Sequence, residues 1–78
     1  MTYQQIKMYF NSEWINKMCD DLANPSPFIE RNKIQVLETL QTAISNNFDS
    51  LIPIFQDQRE AYLFVSDCIE KEKDVVYA

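Results

Sequence analysis

The stretch Lys33–Phe48, KIQVLETLQTAISNNF, decides how the rest of this chain is arranged. At about 100° per residue, Val36, Leu37, Leu40, Ala43, Ile44 and Phe48 fall on one side of a helix, with Ile29 and Ile34 at the edges of the stripe. The apolar sector covers roughly half the circumference, wider than the ~100° stripe of a helix packed on one side only. It predicts a central helix with packing partners on more than one flank.

Working outward toward the N-terminus, Asn24-Pro25-Ser26-Pro27 is the clearest punctuation in the chain. Asn24 can take the left-handed position that ends a helix, and Pro25 prevents continuation. Ser26 then caps the next helix, with Pro27 at its first position, where the missing N–H is not needed. Because the chain contains no glycine, Asn has to serve any left-handed cap, and Asn46-Asn47 is the second candidate. The central helix is therefore expected from about residue 28 to about residue 46.

Further upstream, Thr2 followed three residues later by Gln5 reads as a capping box. Tyr3, Ile6, Tyr9 and Phe10 share one face of the helix it opens. Trp14, Ile15, Met18, Cys19 and Leu22 form a second coherent face, rotated by roughly 130° from the first if one straight helix is drawn. Asn11-Ser12-Glu13 has the chemistry for a break, a capping side chain followed by an acid in the first turn. Two helices are predicted, over residues 3–10 and 13–23.

Downstream of the central helix, residues 49–55 read either as a short helix capped by Asp49 or as an extended piece, since the residue before Pro53 avoids the helical region. A hairpin of 51–55 with 61–65 would give an α+β fold, because Tyr62-Leu63-Phe64-Val65 has good strand propensity. Against that, Asp57-Gln58-Arg59-Glu60 resembles a capping box, and Ala61, Phe64, Val65, Cys68 and Ile69 line one helical face. A helix over 58–71 is the preferred reading; residues 74–78 are too short a tail to classify. The expected fold is all-α, a small bundle of about four helices in a single domain spanning 1–78.

A chain of 78 residues buries only ~60–65% of its unfolded surface, leaving a net stability of ~3–5 kcal/mol. Two isolated cysteines do not make a disulfide framework, so a homodimer would be one way to add buried area. The apolar and aromatic content argues against disorder. No apolar run approaches ~18 residues, and Met1–Gln5 lacks the basic and greasy regions of a signal peptide, so a soluble, cytoplasmic protein is expected.

The net charge of −5 is unevenly distributed, with seven acids against three bases from Asp49 onward. That balance argues against direct binding of nucleic acid, which needs Lys and Arg to displace counterions, and against an anionic membrane surface. It favours a basic partner.

Reactive equipment is sparse. With no histidine, the Ser-His and Cys-His nucleophile systems are ruled out, and without glycine no phosphate-cradling loop can form. Cys19 and Cys68 each lie on an apolar face beside Asp residues that would raise a thiol pKa, and structural zinc sites want about four closely spaced ligands. No catalytic, cofactor or metal site is expected, and an enzyme is not the favoured reading.

What remains is surface. Opposite the apolar stripe of the last helix lie Glu60, Leu63, Asp67, Glu70 and Asp74. The plain reading is a solvated face with one exposed leucine; the sharper one makes Leu63 an apolar anchor ringed by acids and facing a basic protein. Trp14, the sole tryptophan, is ordinarily a core residue, but between the first two helices it could be an interface anchor. Tyr77 is either frayed or docked on a partner.

The favoured function is a small acidic protein-binding module, such as an inhibitor, immunity protein, antitoxin or adaptor, acting by occluding or bridging a partner. Compact acidic chains of this size, phage- and plasmid-encoded ones among them, often play such roles; the analogy is one of size and charge alone. The alternatives are a self-associating dimer unit and an acidic nucleic-acid mimic aimed at a nucleic-acid-binding protein.

Overall fold

Short-range hydrogen bonds start the first three helices where the residue chemistry places them. The Thr2 N–H donates to Gln5 Oε1 at 2.8 Å and the Gln5 N–H to Thr2 Oγ1 at 3.3 Å, a complete capping box that opens α1 (Tyr3–Tyr9). Ser12 accepts from the Ile15 N–H and starts α2 (Glu13–Ala23), with Glu13 in its first turn. Ser26 accepts from the Ile29 N–H ahead of α3 (Pro27–Arg31), with Pro27 at the first position. Then come α4 (Lys33–Ser45) and α5 (Phe55–Tyr77). This computed structural model describes residues 1–10, 12–46 and 55–77, and among the described residues the fold is all-α, with no strand.

The central position of Lys33–Ser45 is observed: α4 packs against α2, α3 and α5. Leu37, Leu40, Ala43 and Ile44 are buried, with Ile29 and Val36 packed half-buried at their margin; Phe48 lies outside the described residues. The core continues through Ile6 and Phe10 of the α1 segment, Ile15, Met18, Cys19 and Leu22 of α2, and Ala61, Val65 and Ile69 of α5. One cluster thus draws on four helices. Polar ties reinforce it: Lys7 meets Asp20 at 2.6 Å between α1 and α2, and Gln41 Nε2 donates to Ser66 Oγ at 2.6 Å between α4 and α5.

Several expectations are corrected. The helix expected over 28–46 is two helices, divided at Asn32 (φ −116°, ψ 23°). The Asn32 side chain donates to the Phe28 carbonyl at 2.9 Å, and its backbone N–H is shared between the Phe28 and Ile29 carbonyls. Asparagine competes in this way for carbonyls that a continuous helix would use, and the helix is interrupted between α3 and α4. Neither Asn24 (φ −134°) nor Asn46 (φ −83°) takes the left-handed cap conformation; Asn24 precedes proline, which biases it toward extended backbone, and Asn47 lies outside the described residues.

The hairpin alternative also falls, because residues 61–65 are helical, inside α5. Ala61, Val65 and Ile69 are buried at every fourth position while the neighbours Tyr62 and Leu63 are both exposed, a helical rhythm incompatible with strand alternation. The 49–55 reading falls on residues outside the described set except for Phe55, which opens α5. That helix extends past the expected 58–71 at both ends and takes in the unclassified tail as far as Tyr77. Asp57 sits in its first turn rather than at its cap, where a carboxylate still faces the positive end of the helix dipole.

Candidate functional site

The surface singled out from sequence is on α5. Glu60, Leu63, Asp67, Glu70 and Asp74 are all exposed, and their spacing sets them within an ~80° arc of the helix. Leu63 keeps 54% of its surface open, far from the Ala61–Val65–Ile69 stripe that binds α5 to α4. The face is less uniformly acidic than its spacing predicts. Lys71, one turn on, places Nζ 3.0 Å from Asp67 Oδ2, and this carboxylate raises the Lys71 ammonium above its ordinary pKa. Gln56 Nε2 donates to Glu60 Oε1 at 3.4 Å. The carboxylates of Glu70 and Asp74 complete the negative side.

Trp14 does not join this face. It is 55% exposed, which corrects its placement among the core residues of α2. Ile15, Met18, Cys19 and Leu22 point into the core, and Trp14, in the first turn, sits about 90° from the centre of that stripe. The ring instead borders a groove of ≈ 390 Å³ between α2 and the α3–α4 corner. Met18, Ile29 and Val36 supply aliphatic walls, and Phe28, 68% exposed, stands on the far side.

Sequence reasoning missed Phe28 as a surface residue. The signal was present, since on a continuous helix Phe28 falls roughly 130° from the centre of the apolar stripe of residues 29–48. In the fold Phe28 lines the same groove as Trp14, Lys17, Met18 and Asp21 of α2.

Cys19 is fully buried and its thiol is pushed up to about 12 by that burial, with Asp20 adding to the shift and Lys7 opposing it. Tyr3 is raised above the usual phenol value, chiefly by burial and then by its hydrogen bond to Cys68. Among the described residues no group of three or more His, Cys, Asp or Glu is placed to hold a metal ion. Nor is any described helix long and apolar enough to cross a membrane.

Comparison with models of known protein families finds no match. Comparisons with curated proteins and with solved structures find no significant similarity. Any functional reading of this chain therefore rests on its own residues.

Proposed function

We propose that this chain is a non-enzymatic protein-binding module that docks the outer face of α5 on a basic partner protein, as an inhibitor, immunity or antitoxin factor, or adaptor would. The observation that carries the reading is Leu63, an exposed aliphatic side chain on a 23-residue helix with Glu60, Asp67, Glu70 and Asp74 around it. An apolar anchor inside a charged rim is the usual anatomy of a non-obligate interface. The rim carboxylates raise the encounter rate with a positively charged surface and disfavour acidic competitors. Lys71 offsets part of the negative row at Asp67, which weighs against the nucleic-acid-mimic reading, a special case in which the basic partner binds nucleic acid.

The test is affinity capture from the source cells with the tagged chain as bait. A protein retained by the natural sequence should be lost with Leu63→Glu and with the double reversal Glu70→Lys/Asp74→Lys. Its retention should also weaken as salt rises toward ~0.5 M, where screening shortens the reach of the carboxylates. Circular dichroism must show both variants folded. Capture indifferent to both variants would remove α5 as the docking face.

A further inference from the structure

We infer that the Trp14–Phe28 groove is a self-association surface, closed by a second copy of this chain about a two-fold axis. Two exposed aromatic rings flank a hollow of ≈ 390 Å³ walled by Met18, Ile29 and Val36. The surface therefore carries a protruding ring and a recess that admits a ring side by side. That is the property a two-fold interface requires, because each copy must offer to its partner what it receives. Phe28 of one chain fills the recess of the other while its own recess receives the partner's ring.

Charge selects the same occupant. Two chains of net charge −5 repel, and the α5 face would oppose its own copy most strongly. At the groove the charged side chains are Lys17 and Asp21, one of each sign, one turn apart on α2. Within a chain they sit 3.4 Å apart, with the Lys17 side chain still 75% exposed and free to reach elsewhere. When two α2 helices cross antiparallel about a two-fold axis, Lys17 of each faces Asp21 of the other, so the contact is neutral and doubly paired. A partner of strongly basic character would find no net negative charge at this rim. The inference is independent of the α5 reading. A dimer joined at α2 and α3 would present two acidic α5 faces, making the proposed module bivalent.

Sedimentation equilibrium of the intact chain between ~10 μM and ~1 mM tests it directly. The expected result is a monomer–dimer equilibrium, with a melting temperature that rises with protein concentration. Phe28→Asp should weaken dimerisation at least tenfold; an acid in the first turn of α3 suits the helix dipole, so folding is spared. Lys17→Asp should weaken the dimer, and the swap Lys17→Asp/Asp21→Lys should restore it, which a merely structural role for these residues would not produce. A chain monomeric at ~1 mM would overturn the inference and leave the groove to a different macromolecule. So would a dimer indifferent to Phe28→Asp, which must form through another face.

Discussion

The Tyr3 hydroxyl donates to the Cys68 Sγ at 3.6 Å, joining the first turn of α1 to the middle of α5 across 65 positions of sequence. The same ring meets Phe64 edge-on, with centroids 5.2 Å apart and planes at 76°. Sulfur is a weak acceptor, so the ring contact carries most of this tie. Tyr3→Phe is expected to cost under ~1 kcal/mol, whereas Tyr3→Ala should cost about 2 kcal/mol through lost packing. Urea denaturation of the two variants checks the order; equal losses would show that the hydroxyl, not the ring, makes the contact count.

Alkaline pH should destabilise the fold through Cys19. Its folded pKa of about 12 lies above the ordinary thiol value of 9.0, so the folded state holds the proton more tightly than the unfolded chain. The associated stability is complete below pH 9.0 and is lost as pH rises toward about 12. Tyr3, raised for the same reason, adds to the loss above its ordinary 10.0. Each group contributes a slope of at most ~1.4 kcal/mol per pH unit. Unfolding free energies measured from pH 7 to 11 should be flat and then fall, and Cys19→Ala should reduce the slope; an unchanged slope would assign it to other groups.

Leu40 is fully buried on α4, the helix that meets three others. Leu40→Ala should cost ~2–5 kcal/mol, comparable to the whole stability of a domain this size, and leave much of the chain unfolded at 25 °C. Ile44→Val, at an equally buried position one turn on, should cost only ~0.5–1.5 kcal/mol. Far-ultraviolet circular dichroism of both variants tests the contrast, and a well-folded Leu40→Ala would mean that α4 is not the centre of the core.

Lys33 and Glu72 form an ion pair at 3.7 Å between the start of α4 and the end of α5, with only 25% and 19% of their side chains exposed. Partial burial makes it worth more than an open surface pair, yet the distance is long. Glu72→Gln is expected to cost about 1 kcal/mol, and a double-mutant cycle with Lys33→Met should return a coupling of ~0.5–1 kcal/mol. A coupling near zero in thermal melts would show that the two charges stabilise the helices independently.

The beginnings of α1, α2 and α3 were legible because Thr2, Ser12 and Ser26 each accept from an N–H three residues on, an arrangement contained within one turn of chain. The central place of α4 was legible for a related reason: an apolar sector too wide for one neighbour can be counted without knowing which neighbours arrive. The openness of Leu63 followed from angular position alone. The start of α5 was misread, because Asp57 suits a first turn as well as a cap.

Other features depend on segments distant in the chain. Gln58 Nε2 donates to the Ile44 and Ser45 carbonyls at 2.9 and 3.0 Å, so the end of α4 is closed by a side chain from α5 that no local pattern announces. Trp14 of α2 and Phe28 of α3, fourteen positions apart, border one groove only in the folded chain. Helix rhythm and capping are energies of neighbouring residues and can be read along the chain. Which exposed ring meets which recess is set by the packing of whole helices, and that exists only once the core has closed.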